Sequence, residues 1–362
     1  MEVAIIGAGP AGSTLAALLA GRGVDVTLFD RDAFPRDKLC GEFLSYDALP
    51  ILERLDVDLG NAPRISHCRV VGAHTYEFDF PHEARGVSRL FLDDLLLRTA
   101  IARGAQFRVM TVAELPNEAK AVAGAWGRWG RFDQQLSRSF VNVKDRNFGF
   151  KRHYSGPPRE SIDLYAFSRG YLGVNAVEGG IVNICGLVHA SRLAGHKGRW
   201  DAFVETLRSE EPRLDELYAA HAPAQEHFLS SEPVIFRARS AVEGGVFMIG
   251  DASGVIDPLT GNGMAMAIQS ALLVAPLVMR LIANPGQRAD VEREYREVHR
   301  AFFAPRIRWS RAVASLLSRP RLLDAALSTT RSPRIGAALL RRTRASREEV
   351  ARMADRWFAT AG

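Results

Sequence analysis

Seven residues near the start of the chain have the types and spacing to hold a dinucleotide. Gly7, Gly9 and Gly12 stand in Gly7-Ala-Gly-Pro-Ala-Gly12, with Pro10 and Ala11 between the last two, and Asp30 follows eighteen residues after Gly12. Gly7 permits a tight turn, Gly9 a close backbone approach to a pyrophosphate, and Gly12 tight helix–sheet packing. The helix that begins here offers unpaired N–H groups and a positive dipole end to phosphates. Asp30 lies near the expected spacing of ~20 residues for a carboxylate that takes ribose hydroxyls. It would repel a 2′-phosphate, which disfavours NADP. NAD and the ADP half of FAD both fit.

A second stretch, Gly250-Asp-Ala-Ser-Gly-Val-Ile-Asp-Pro-Leu-Thr-Gly-Asn-Gly-Met264, decides between them. Asp251, after a buried strand, is placed to accept from a sugar or ribityl hydroxyl. Pro258, Gly261 and Gly263 let the backbone approach a flat ring, and a helix starting near Gly263 and Met264 aims its N–H groups at it. A reduced flavin carries negative charge at N1/O2, so that helix start suits it. The pair of stretches therefore reads as an FAD site. Arg31, Arg36 and Lys38, in the broken segment after Asp30, are cations placed to meet a diphosphate or an acidic substrate group.

The elements that must position these residues follow from apolar pattern. Val3 to Ile6 is a run of buried-strand length, Ser13 to Ala20 a helix closed by Gly21 and Gly23, and Val24 to Phe29 a second strand. Tyr46 to Leu55 reads as a short helix, and Ile65 to Phe80 as strands. Ser88 to Gly104 is an amphipathic helix with Leu92, Leu95, Leu96 and Thr99 on one face. Phe107 to Val112 and Ala121 to Gly124 are strands. From Phe140 to Val188 the period changes to two, marking antiparallel strands. A helix over Trp200 to Glu211 follows, then a strand near Val234 to Arg237. The dinucleotide pattern then returns at Gly245, with a strand into Gly250-Asp251 and a long helix. The remainder is helical, with breaks at Pro305, Pro320 and Pro333.

Composition bounds the rest. The chain has 362 residues, 47% hydrophobic and 24% charged, enough for two or three domains. Cys40, Cys68 and Cys185 have no C-x-x-C or zinc spacing, so no metal site is expected and a reducing cytoplasm is. The first strand begins close to Met1, which leaves no room for a signal segment. The apolar stretch from Met264 to Met279 contains Gln269 and falls short of the ~20 residues of a membrane span. Eleven arginines between Arg306 and Arg347, against one acid, Asp324, outweigh the whole net charge of +6, so everything else together is slightly acidic. A solvated helical tail is the plain reading; peripheral contact with an anionic surface is the functional one. No nucleic-acid motif accompanies the charge.

Taken together, these motifs resemble the FAD-dependent geranylgeranyl reductase and aromatic hydroxylase superfamily. The likeness covers roughly residues 1–290. It rests on the glycine hexad, on Phe34-Pro-Arg-Asp-Lys-Leu-Cys-Gly-Glu42, on Ser88-Arg89 through Asp93 to Gly104, and on the stretch from Gly250 to Met264. The resemblance implies an α/β fold: a Rossmann-like FAD-binding domain of glutathione-reductase type, an inserted antiparallel β-sheet substrate domain and a helical C-terminal tail. The FAD domain would comprise 1–64, 85–130 and 240–290, the β-rich domain 65–84 and 131–239, and the arginine-rich region 291–362. By the same match Arg89 would contact FAD. There are departures. The segment between Val109 and Ala121 is short for the family, and Ala123-Gly-Ala-Trp-Gly-Arg-Trp129 lacks its Asp-Gly pair. Gly170-Tyr-Leu-Gly-Val174 lacks the Trp and Phe-Pro of the reductase motif, and the halogenase Trp-x-Trp-x-Ile-Pro is missing, which argues against halogenation.

Cys40 is the sharpest single residue. Its ordinary reading is a small buried side chain at a loop–helix junction. The resemblance to the reductases' K-x-C-G segment makes it a proton donor beside the flavin, with Arg36 and Lys38 lowering its pKa. Lys151 and His153 alternate on one strand and so share a face, either toward substrate or, more commonly, toward solvent. Tyr171 is read as a ring neighbour or a core aromatic, Cys68 and Cys185 as core. No second nucleotide fingerprint is present, so NAD(P)H would dock transiently as electron donor, or a ferredoxin-like protein would serve. Three readings stand: a reductase of C=C bonds in an apolar isoprenoid or polyketide-like chain, a monooxygenase of an aromatic or polyketide substrate, and a flavin-binding protein with a decayed redox site.

Overall fold

The computed structural model of the protein describes all residues except 73, 143–146, 197, 318, 320–337, 339–340 and 360–362. Two sheets interleave along the chain. The first has six strands in the order β14-β15-β7-β1-β2-β6. Its centre is β1 (Val3–Ile6), parallel to β2 (Val26–Asp30) and β7 (Ala121–Gly124); β6 (Gln106–Val109) lies beyond β2. The strands β14 (Val242–Glu243) and β15 (Val246–Met248) close the other edge as an antiparallel pair, with β15 parallel to β7. All four residues of β1 are buried because both faces of the sheet are covered. Val3 and Ile5 face the helical side, whereas Ala4 and Ile6 pack with Phe29 and Phe132.

The second sheet has nine strands. Its main path runs β12-β8-β11-β10-β9-β4-β5-β3, with β13 also on β8. These are β3 (Phe43–Leu44), β4 (Arg64–Val71), β5 (Thr75–Gly86), β8 (Asn147–Ser155), β9 (Ser161–Phe167), β10 (Gly170–Val177), β11 (Ile181–His189), β12 (Ala222–Pro223) and β13 (Leu229–Ser230). Pairing is antiparallel except between β4 and β9, which are parallel. One face is covered by α6 (Trp200–Glu210) and α7 (Pro212–Ala219), around Phe150, Leu172, Val174 and Phe203. The other face looks toward the first sheet.

Helix α5 (Ala190–Leu193) follows β11 and packs on the second sheet, and the remaining helices lie with the first: α1 (Pro10–Ala20), α2 (Leu49–Arg54), α3 (Arg89–Ala102), α4 (Arg131–Gln135), α8 (Gly263–Ala283), α9 (Arg288–Leu317) and α10 (Arg347–Ala359). Helix α1 starts at Pro10, earlier than the sequence pattern suggests, so Gly12 lies in its first turn. A Cβ there would sit 1.8 Å from the Gly7 carbonyl oxygen, so only glycine allows this packing. Helix α8 is 21 residues long and apolar enough by length and composition to cross a membrane, in contrast to the shorter stretch read from the sequence; 72% of its most apolar window is buried in the fold.

Three other expectations change. Val234 to Arg237 is not a strand. Val234, Ile235 and Phe236 are buried in succession along irregular backbone, which mimics a strand's apolar run. Helix α9 continues through Pro305, because Phe303 and Ile307 on either side pack with Ile256 and Met266. Phe140 and Val141 lie in a turn before β8, and Val143 lies outside the described residues, as do Pro320, Pro333 and much of the arginine-rich stretch.

Candidate active site

At the first motif, Gly7 has φ +110°, and a Cβ there would meet the Ala125 carbonyl oxygen at 2.3 Å. Asp30 turns back onto the turn it follows: its Oδ2 accepts from the Ala8 N–H at 2.8 Å and its Oδ1 from the Asp32 N–H at 3.1 Å. Each oxygen keeps a second lone pair for a hydroxyl. Beside Asp30, Met110 donates its N–H to the Asp30 carbonyl, and Val109 and Met110 are exposed apolar residues. Sequence reasoning placed Val109 in a strand and missed this apolar ledge. Only its juxtaposition with Asp30 marks it.

The expected cations are distributed among carboxylates. Arg31 is exposed beside Asp32, and Arg36 pairs with Asp32. Lys38 Nζ donates to Asp93 Oδ2 at 2.9 Å, and Arg89 grips both oxygens of Asp93 at 2.7 Å. Burial works against the charge on Asp93, but Arg89 and Lys38 outweigh it and hold the carboxyl below its usual range. The Arg89 Nη2 would lie 3.7 Å from a Cβ at Gly9, so this cation sits over the glycine turn.

The group this fold implies is FAD, and the residues fit it. A Cβ on Gly41 would meet nothing within 4 Å, and one on Gly263 only Ile256 Cγ2 at 4.0 Å, so both present backbone to open space. The Asp251 carboxylate has no hydrogen bond or ion pair among the described residues, yet lies in the fields of Arg89 and Arg239. Arg239 is itself buried, with Nε and Nη2 unpartnered among the described residues. An unpaired acid, an under-bonded arginine and glycines that face open space together suit a ligand with hydroxyls and a diphosphate.

Cys40 belongs to a segment held by the second sheet. Its Sγ accepts from the Glu42 N–H at 3.4 Å. Asn183 Nδ2 donates to the Cys40 carbonyl at 3.1 Å, and Asn175 Nδ2 to the Glu42 carbonyl at 3.3 Å. The register places these asparagines opposite each other on β10 and β11. The expectation that Arg36 and Lys38 make Cys40 acidic is overturned, since both are engaged elsewhere. Burial pushes the thiol up, outweighing Arg89 and Lys151, and Cys40 is a neutral thiol.

Lys151 and His153 do share a face, but it is not solvated. The fully buried Lys151 ammonium donates to Asp37 Oδ1 and Glu42 Oε1, both at 2.6 Å, and to the Lys38 carbonyl at 3.3 Å. His153 Nε2 lies 2.7 Å from Glu42 Oε2. Asp37, Glu42 and His153 are near enough together to suggest a metal site, but the Lys151 ammonium bridges the two carboxylates. Cys185, opposite Lys151 in register, is half-buried on this same face rather than in a core; burial pushes its thiol up to about 12. Cys68 is a core residue, pushed up to about 12 in the same way. The sequence reading missed Asp37, Glu42, Asn175 and Asn183, whose partners lie more than a hundred residues away.

The second loop runs from Asp257 into α8. Pro258–Thr260 form one helical turn, and Gly261 takes the left-handed conformation at φ +60° against the Phe43 ring. Tyr171, buried, donates its hydroxyl to Asp257 Oδ1 at 2.9 Å, and Asp257 in turn caps the Leu259 N–H at 3.0 Å. Burial and the Asp257 charge push the Tyr171 phenol well up, so it stays a donor. Around it the face of the second sheet is apolar, with Val70, Phe80, Ile162, Leu164 and Leu187 packed with Val255 and Leu259.

Comparison with known proteins points to the same cofactor. The FAD binding domain family model matches residues 1–76. A tryptophan 2-halogenase of Chondromyces crocatus is 26% identical over 87% of this chain and 67% of its own length. A menaquinone reductase of Mycolicibacterium smegmatis is 27% identical over 89% of this chain and 86% of its own. Among solved structures, a geranylgeranyl bacteriochlorophyll reductase-like protein from Thermoplasma acidophilum superposes with a TM-score of 0.77 at 18% identity, over 99% of this chain and 97% of that one. The chain is an FAD-dependent oxidoreductase, similar in sequence to a tryptophan 2-halogenase and a menaquinone reductase and in fold to a geranylgeranyl reductase-like protein.

Proposed function

We propose that the protein reduces a C=C bond in an apolar isoprenoid or polyketide-like chain, with Cys40 as the proton donor. The observation that carries this reading is a neutral thiol in a segment fixed by Asn175 and Asn183 of the second sheet, a sheet that also carries an apolar face around Tyr171. FAD, once reduced, supplies the hydride for such a reaction. As one alkene carbon takes that hydride, the other takes the Cys40 proton: the S–H bond breaks and a C–H bond forms. The thiolate left behind lies against the Glu42 N–H and in the fields of Arg89 and Lys151 until solvent returns the proton. Ile162, Leu164 and Leu187 suit an uncharged chain, and the similarity to a menaquinone reductase supports a reductive reaction. Electrons would come from NAD(P)H docking transiently or from a donor protein.

A monooxygenase is the second reading, favoured by the missing Trp and Phe-Pro around Gly170–Val174. One experiment separates them. FAD-loaded protein, reduced with NAD(P)H or dithionite, is given a geranylgeranyl lipid without oxygen. The reductase reading expects a product richer by two hydrogens, and Cys40→Ala should keep its FAD while the rate falls at least ~100-fold. A product that forms only with oxygen, and contains it, would establish the monooxygenase. Full activity in Cys40→Ala would remove the thiol from the mechanism.

A further inference from the structure

We infer that Arg344, brought in from the C-terminal segment, makes bound FAD easier to reduce by holding uncompensated positive charge behind the loop that leads into α8. The inference rests on FAD lying along that loop, and not on the identity of the substrate. Arg344 is buried, and its hydrogen-bond partners among the described residues are all neutral oxygens: Ser45 Oγ from Nε at 2.9 Å, Thr343 Oγ1 from Nη1 at 3.3 Å and the Thr260 carbonyl from Nη2 at 2.7 Å. A second buried cation, Arg306, donates to Gln269 Oε1 at 2.7 Å. Neither forms an ion pair among the described residues. The carboxylate whose field reaches both is Asp47, itself without exposure. Asp47 Oδ2 accepts from Gln269 Nε2 at 3.0 Å and from the Ala345 N–H at 3.1 Å, and its Oδ1 has no partner among the described residues.

Two cations thus share one buried carboxylate, in surroundings that include the Phe43 and Phe80 rings at 5.8 and 5.5 Å from Arg344. Charge is weakly screened there, so the excess acts at a distance. The same segment fixes where α8 begins: Asn262 Nδ2 donates to the Thr343 carbonyl at 2.6 Å. The positive end of a 21-residue helix and the Arg344 charge therefore work in the same direction. A flavin gains negative charge at N1/O2 on reduction, so both favour the reduced form over the oxidised one. Arg344 acts through the loop and is a positioning residue.

The test is the midpoint potential of the FAD-loaded full chain at pH 7, read by equilibration with a reference dye and without substrate. Arg344→Met should shift the reduction equilibrium about tenfold toward oxidised flavin, about 30 mV for a two-electron couple. Asp47→Asn, which removes the opposing charge, should shift it toward reduced flavin, and Arg344→Lys should stay near the parent. A structural disturbance would not give opposite signs. Unchanged potentials, or shifts of Arg344→Met and Asp47→Asn in the same direction, would overturn the inference. If Arg344→Met fails to retain FAD, Asp47→Asn decides alone: a potential that does not rise overturns it. Failure here leaves the reductase proposal standing, because no substrate is involved.

Discussion

Lys151 carries its charge without any exposure, and two carboxylates 2.6 Å away make that tolerable. Burial pulls its ammonium down, but Glu42 and Asp37 outweigh burial and its pKa is raised. Lys151→Met should therefore do more than remove two hydrogen bonds. It leaves Glu42 buried with a net negative charge, and breaking such a pair costs about 3–5 kcal/mol. A loss of that size in unfolding free energy, read as a lower urea midpoint with unchanged m, is the expected result. Adding Glu42→Gln should recover part of the loss, because the stranded charge is then gone. A Lys151→Met protein as stable as the parent would mean that the pairing contributes nothing net.

At the scale of elements, the segment from Asp37 to Glu42 matters through what docks on it. Asn175 and Asn183 reach across from β10 and β11 to two of its carbonyls. Removing both, in Asn175→Ala with Asn183→Ala, deletes two hydrogen bonds of about 1 kcal/mol each. Amide exchange in residues 38–42 should speed up at least about tenfold by that magnitude, while FAD content stays that of the parent. Unchanged exchange would show that the side-chain contacts of Asp37, Lys38 and Glu42 hold the segment without the asparagines. This docking explains how much the sequence could reveal. The strands Val3–Ile6 and Ala121–Gly124, the glycine turn and the Gly250–Met264 stretch are local patterns, in which neighbours in sequence are neighbours in space. The shared face of Lys151 and His153 was legible from alternation, but its cover was not, because Asp37 and Glu42 lie more than a hundred residues away. The same holds for Arg344, read as one charge in a solvated tail and found bonded to Ser45 and Thr260. Val234 to Phe236 misled for the opposite reason: burial without strand pairing leaves the same apolar run.

At the scale of the whole molecule, α8 is apolar because it is enclosed, with α1 on one side and α9 on another. The α9 face that helps enclose it carries Tyr295, His299 and Phe303 one turn apart, with ring centroids 5.6 and 4.8 Å apart along the series. Tyr295 donates to the Met248 carbonyl at 2.8 Å and ties α9 to the first sheet. His299 is buried, its Nε2 has no partner among the described residues, and burial pulls its pKa from 6.5 down to about 4. Above pH 6.5 both folded and unfolded chains hold it neutral, and it adds no pH dependence. Below that, the unfolded chain takes up a proton that the folded chain refuses until about pH 4. Stability is therefore lost as pH falls through this window, by about 2–3 kcal/mol at pH 4.5. His299→Phe keeps an aromatic ring between Tyr295 and Phe303 and cannot titrate. Urea unfolding at pH 7.5 and pH 4.5 should show that the variant loses about 2–3 kcal/mol less than the parent between the two. Equal losses would place the acid sensitivity of the enclosed helix pair in other groups.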